Sequence, residues 1–380
     1  MKNSFIPFLA LVTSTIFSGC TKTEEKDSAS ITSSIPFSEA KEFQLSDFVA
    51  DQKYILLSTD NEALFKRVDK VIAKNGQYYF FDHLSRSGVL VFDAEGNFLR
   101  EIGEYGEGPQ QLKGISDIQV GENGDLSVLD NLNKSIVIYS PDGSWKEKVE
   151  LPFMAGGFAK LDEKWALAIN FDHQMNEWSE HPILGIYDDS MELDSLYFRY
   201  ADGAFNSNIY YHAGIISTSE NSFLYHRPPN DTINVFSSSG ELKDRLVIDF
   251  GDKKLPAEVV NDFQTFNDYR ARDASFNYIQ TPALLVGNYI FGMIISTKNE
   301  IWTYVLKLDS KELFANKVNL AELKLKELIF PTANLNDEVV VSLIDPVTFS
   351  QETNPDAYPE HVREHLENEG SVLLLHYLKP

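Results

Sequence analysis

Val89-Leu-Val-Phe92-Asp-Ala-Glu-Gly96-Asn-Phe-Leu99 decides the fold, because its design recurs along the chain. Ile136-Val-Ile-Tyr139-Ser-Pro-Asp-Gly143-Ser-Trp145, Leu184-Gly-Ile-Tyr187-Asp-Asp-Ser-Met191-Glu-Leu193 and Ile233-Asn-Val-Phe236-Ser-Ser-Ser-Gly240-Glu-Leu242 follow it. Each is an alternating strand, an aromatic, a tight polar turn and a second strand. The aromatics stand at 92, 139, 187 and 236, so the spacing is 47, 48 and 49 residues. A fifth copy, Thr303 to Leu313, comes after an insertion, and a sixth strand, Ser371 to Tyr377, closes the chain.

The residues between copies repeat too. Gly76 to Asp82 precedes the first copy and Gly124 to Asp130 the second, each a turn followed by a strand ending in Asp. Four strands in a period of nearly fifty residues are the signature of a propeller blade. The expected fold is therefore all-β: a six-bladed β-propeller with four-stranded antiparallel blades. Blade six lacks its outermost strand at the C-terminus. Lys53 to Leu57 is a spare strand that would supply it, so strands from both termini close the ring and remove its free edge. The apolar spacing of Val259, Phe263, Phe266 and Tyr269 is helical, which predicts a short helical insertion over Leu255 to Gln280, between blades four and five. A second helical excursion is expected over Asn354 to Asn368, inside blade six.

The chain of 380 residues is 43% hydrophobic and 12% aromatic, which excludes a mainly disordered protein. Its formal charge of −24, from 33 Lys and Arg against 57 Asp and Glu, opposes binding to nucleic acid. Lys2 is the only charge before Lys22, and an apolar run from Phe5 to Phe17 lies between them. A positive start, an apolar centre too short to span a bilayer and a small-residue end read as a signal peptide over residues 1–19. The end, Phe17-Ser18-Gly19-Cys20, resembles a bacterial lipobox, with Phe17 in place of the more usual Leu. Cys20 is the only cysteine, so no disulfide forms within one chain, and it is the expected lipidation site. Residues 20–40 are expected to form the lipidated cysteine and a flexible tether, and residues 41–380 the propeller. Lys22-Thr-Glu-Glu25 reads either as an acidic export signal or as a solvated linker.

Beyond the repeat, Val91 to Gly103, Gly106 to Pro109, Arg227 to Ile233, Val247 to Gly251 and Ser371 to Leu375 resemble one known group. They are similar to the six-bladed β-propeller lipoproteins of Bacteroidota, which are NHL-like in character. The resemblance covers roughly residues 40–380. It implies the fold and an outer-membrane address on a lipid anchor, with display on the outer surface as a further reading. Most members have no assigned activity, so no catalytic residue carries over.

Within a blade, the loop between strands two and three shares a face with the connection to the next blade. That face is expected to hold Asp82, His83 and Arg86, Asp130 and Asn131, and His226, Arg227 and Asp231, with His173 and Trp178 as further ligand candidates. Its mixed chemistry suits an oligosaccharide, a peptide or an envelope protein. Asp82 and Asp130 have a second reading, as acceptors for turn amides. Arg227 reads either as a guanidinium held for a carboxylate or sugar, or as the partner of Asp231. Gly103-Glu-Tyr-Gly106-Glu-Gly108-Pro109 lacks the ending of a phosphate loop and reads as a tight connection whose glycines supply positive φ. His361-Val-Arg-Glu364-His365 has the form of an inverted zinc motif, but only fifteen residues follow it. No cofactor and no metal site is expected. The leading expectation is a non-catalytic binding or scaffold module. The alternative is a propeller lyase or hydrolase at the channel mouth, which would gather His83, His173, His212 and His226 around a metal.

Overall fold

The structure, a computed structural model, describes residues 32–82, 88–108, 110–161, 163–170, 182–200, 214–260, 263–270 and 275–380. The N-terminal segment holds β1 (Thr32–Pro36), α1 (Leu45–Phe48) and β2 (Val49–Leu56). Blade one is β3 (Lys70–Lys74), β4 (Gln77–Phe81), β5 (Val89–Asp93) and β6 (Phe98–Ile102). Blade two is β7 (Ile115–Val120), β8 (Leu126–Asp130), β9 (Ser135–Tyr139) and β10 (Trp145–Glu150). Blade three is β11 (Ala155–Lys160), β12 (Lys164–Ile169), β13 (Pro182–Asp188) and β14 (Leu193–Arg199). Blade four is β15 (Ile216–Thr218), β16 (Ser222–Tyr225), β17 (Thr232–Ser237) and β18 (Leu242–Asp249).

The insertion follows as α2 (Ala257–Val260) and α3 (Phe263–Arg270). Blade five then runs through β19 (Asn277–Ile279), β20 (Leu284–Val286), β21 (Tyr289–Ser296), β22 (Ile301–Lys307) and β23 (Leu313–Lys317). Blade six is β24 (Pro331–Asn336), β25 (Val339–Ile344) and β26 (Val372–Leu378), with α4 (Pro346–Phe349) and α5 (Glu360–Glu367) between the last two. Its fourth strand is β2, antiparallel to β26 with Lys53 opposite Leu375. The six-bladed ring and its closure by strands from both termini are as the repeat predicts.

The middle strands are buried on both faces, because each blade is covered by its neighbours. Leu126 to Asp130 and Ser135 to Tyr139 are wholly buried, whereas β10 on the rim is mostly exposed. Six apolar clusters fill the six gaps between blades. The one joining blades six and one holds Leu373, Leu375 and Val341 against Phe80, Leu90 and Phe92. It exists only because the ring closes.

The repeated turn has a physical reason. Gly96, Gly143 and Gly240 all have φ near +90°, and the non-glycine residues at this position, Met191 and Lys311, adopt φ of 60° and 59°. The turns close through Gly96 N–H to Asp93 O, Gly143 N–H to Ser140 O and Gly240 N–H to Ser237 O. Glycine meets the left-handed conformation without a Cβ penalty. Each of these turns also leans on the preceding blade. A Cβ on Gly96 would lie 2.1 Å from the Leu56 carbonyl oxygen, and one on Gly143 would lie 3.3 Å from the Ile102 side chain.

Two boundaries differ from the sequence reading. Thr32 to Pro36, expected inside the tether, is a strand that pairs in parallel with β18, Ser34 opposite Val247. The reason is burial: Ile35 enters the core between blades four and five, and Phe37 packs edge-on against Phe250 and Trp302. The same segment continues along the rim. Lys41 exchanges backbone bonds with Leu313 and Ala315 of β23, and Asn316 brackets the Phe43 backbone with both its oxygen and its nitrogen. Residues 32–56 thus form a belt over the outer edges of blades four, five and six. The second difference lies inside the expected helical insertion, whose described helices are α2 and α3. Asn277 to Ile279 joins blade five as β19, since its backbone pairs with the end of β21 that β20 does not reach. Val259 and Phe266 do lie in one buried cluster, with Tyr269 packed against it, as their spacing predicts. Among the described residues no helix is long and apolar enough to cross a membrane.

Blade six buries His376 completely. Its Nε2 lies 2.9 Å from Ser342 Oγ, and its Nδ1 lies 3.1 Å from Gln52 Nε2 on the closing strand β2. Burial pushes the imidazole down from its ordinary 6.5 to about 4.

Two predictions follow from these contacts. Gly96→Ala should destabilise by about 3 kcal/mol, since a backbone oxygen cannot yield, and Gly143→Ala by only about 1 kcal/mol. Equal shifts in the denaturant midpoint would contradict the packing account. Between pH 6.5 and 4 the unfolded chain takes up a proton at His376 that the native chain does not, so stability falls as pH falls through this window. The loss attributable to this residue should approach about 3 kcal/mol. His376→Gln should therefore flatten the pH dependence relative to the unmodified chain, and parallel curves would exclude the effect.

Candidate functional site

The strand order puts the loops between second and third strands, and the connections between blades, at one end of the ring. The second strand of each blade ends on a polar residue there. In blade one this is Asp82, which is buried and accepts from Lys66 N–H at 2.8 Å and Arg67 N–H at 3.1 Å, just before β3. In blade two it is Asp130, which accepts from Lys113 N–H, Gly114 N–H and the Asn133 side chain. Blade four uses His226, whose Nδ1 accepts from Ala283 N–H at 3.0 Å, and blade five uses Thr297, whose hydroxyl accepts from Phe276 N–H. In these four blades one side chain thus fixes the base of a loop to the chain beside an inner strand. Asn131 continues this clasp through its N–H to Gly114 O at 3.1 Å. His83, Arg86, His173 and Trp178, with His212 and Cys20, lie outside the described residues.

Asp231 and Arg227 do not pair. Asp231 meets Lys254 Nζ at 2.8 Å, because the chain leaving blade four returns past this loop. Arg227 instead donates to the Tyr200 hydroxyl and, at 3.5 Å, to Asn170 Oδ1. Its guanidinium carbon stands 5.7 Å from the centre of the Tyr200 ring. Sequence reasoning missed Tyr200 and Asn170, which both follow strands of blade three. Their only local signal is that each directly follows the end of a strand.

The glycine-rich connection is tight, as expected, but for a partly different reason. Gly103 has φ of 87°, whereas Gly106 and Gly108 are outside the positive-φ set. Those two make room for Gln111, whose Oε1 accepts from Gly108 N–H at 2.8 Å; a Cβ on Gly106 would lie 2.0 Å from that oxygen. The His361 to His365 motif does lie on a helix, α5. Val362 and Leu366 face the core, and His365 Nε2 is 3.2 Å from Ser371 O. Among the described residues no group of three His, Cys, Asp or Glu side chains stands close enough to hold a metal ion.

The axis holds a cavity of about 1140 Å³ lined by inner strands, including Lys70, Ile72, Gln119, Ser217, Thr332 and Asn334. Several of these tie blades together. Lys70 Nζ meets the buried Asp117 at 2.7 Å and Ile118 O at 2.8 Å, Gln119 donates to Phe158 O, and Asn334 donates to both Thr218 O and Leu285 O.

Surface chemistry separates the two ends of the ring. Leu64, Tyr105, Leu132, Leu320 and Val347 are large apolar side chains exposed to solvent, Leu132 at 61% and Val347 at 73%. All five lie in loops or connections of the same end. The two others so exposed, Leu99 and Trp145, are on rim strands. Among the described residues none is at the opposite end.

Residues 30–371 match the model of a family described as a domain of unknown function, DUF4934, and the chain belongs to that family. No curated protein matches the sequence. The fold is similar to a crystal structure from Bacteroides fragilis named a "Putative exported protein" (TM-score 0.67, 16% identity, 92% of this chain and 100% of that one). It is also similar to a member of the DUF4221 family from Bacteroides vulgatus (TM-score 0.51, 12% identity, 87% and 97% coverage). Virginiamycin B lyase from Staphylococcus aureus, at 13% identity and a TM-score of 0.37 over 74% of this chain and 77% of that one, is too distant to carry an argument. At these identities the likeness concerns the fold alone.

The loop clasp makes a direct prediction. Asp130→Ala orphans three backbone amides and the Asn133 side-chain amide in a buried site, and should cost about 3 kcal/mol at unchanged m-value. A change under about 0.5 kcal/mol would show that the carboxylate does not hold the loop.

Proposed function

We propose that this chain is a non-catalytic binding or scaffold module of the cell envelope. In this reading Cys20 carries the lipid, the polar stretch before the belt spaces the propeller from the outer membrane, and the loop-bearing end meets a glycan, peptide or protein partner. The observation that carries it is that, among the described residues, the large apolar side chains exposed in loops all lie at that end. Exposed apolar groups gathered on one face mark interaction surfaces. The polar clasps support it as well, since they give loops of unequal length, from 131–134 to 345–371, a rigid base. Recognition by variable loops on a fixed scaffold is a general solution. The name of the Bacteroides fragilis protein of similar fold, "Putative exported protein", agrees with the expected signal peptide.

The test is a fractionation followed by a melting screen. The unmodified chain should sediment with outer membranes and Cys20→Ser should be soluble. Both should melt higher with the same oligosaccharide or peptide, since a ligand of the native state raises the midpoint by mass action. A Cys20→Ser chain that stays in the membrane fraction would refute the anchor. A screen with no shift, joined to no partner captured by cross-linking in cells, would refute the binding reading.

A further inference from the structure

We infer that Arg227 receives a single carboxylate borne by an otherwise uncharged ligand. The inference rests on the binding reading above and names the chemistry of one place on its loop face. Arg227 is only partly exposed, and its polar neighbours are the Tyr200 and Tyr225 phenols and one long amide contact. The chain has 57 Asp and Glu against 33 Lys and Arg, yet among the described residues no carboxylate pairs with this cation. The nearest in sequence, Asp231, is engaged by Lys254. A guanidinium has five N–H donors, and a desolvated cation with neutral partners alone is left incompletely satisfied.

The surroundings hold the group in place. The Tyr200 hydroxyl donates to Ile169 O at 2.8 Å, which leaves its oxygen to accept from Arg227. His226, next in the chain, is fixed at both ring nitrogens, by Ala283 N–H and by Asn230 O. Asn230 N–H returns to Arg227 O at 3.1 Å. A planar guanidinium fixed in this way matches the two oxygens of a carboxylate. The net charge of −24 selects against ligands with many negative charges, since the field of the whole protein repels them. A terminal uronate on a neutral saccharide and the C-terminus of a neutral peptide both carry the required group.

The experiment uses the full chain in detergent and ligand-observed NMR with two probe pairs: glucuronic acid against glucose, and acetyl-dialanine against its C-terminal amide. At least one acid should bind with a tenfold or greater preference over its neutral partner, and which acid does so identifies the source. Arg227→Gln should abolish the preference. Tyr200→Phe, which keeps the cation but removes its acceptor, should weaken the acid several-fold and serves if Arg227→Gln does not fold. The inference is overturned if neither acid is preferred, or if folded Arg227→Gln retains the preference. A ligand found in the melting screen that binds Arg227→Gln unchanged would sink this inference while leaving the binding face intact.

Discussion

Everything in this molecule depends on β2 lying against β26. A propeller buries its blades face to face, so an open ring of six would leave the faces of the first and last blades in water. Blade six brings its own three strands but cannot finish its sheet alone. The N-terminal strand completes it, and the cluster around Leu373, Leu375, Phe80 and Phe92 is buried as a result. The belt extends this logic. On its way to β2 the chain covers the rims of blades four and five, so the N-terminus is held at three successive edges. Unpaired edges are a pairing hazard, and a belt removes several at once.

Closure also explains how the two ends of the ring differ. At one end short turns pack against the preceding blade, and Gly96, Gly143 and Gly240 meet there a φ near +90° that a side chain would strain. At the other end the loops vary in length, and Asp82, Asp130, His226 and Thr297 clasp their bases. Rigidity is built at the loop bases, which frees the residues beyond them for recognition. The exposed apolar side chains gather where that freedom lies.

The blades were legible because a repeat writes the same local chemistry many times. An alternating strand, an aromatic and a glycine turn need only near neighbours to be understood, and the spare strand at Lys53 to Leu57 followed from counting. The belt was not legible as structure. Thr32 to Pro36 is short and mostly polar, and its reason for being a strand is Ile35 meeting a core built by residues two hundred positions away. Asp82 and Asp130 were readable as turn acceptors because both end equivalent strands. Arg227 was readable as a guanidinium held for a carboxylate or sugar, or as the partner of Asp231, but its setting was not, since Tyr200, Asn170 and Lys254 come from other parts of the ring. Gly106 and Gly108 show the same limit: their glycine signal was plain, but the side chain they accommodate, Gln111, was not.

The central claim is that the loop-bearing end is the working face. It is tested most directly by placing a photo-cross-linking residue in cells at position 132, in a loop of that end, or at position 122, in a turn of the opposite end. The account predicts that a specific envelope component is labelled from position 132 and not from position 122. Labelling from position 122 alone would contradict it and move the working face to the other end of the axis.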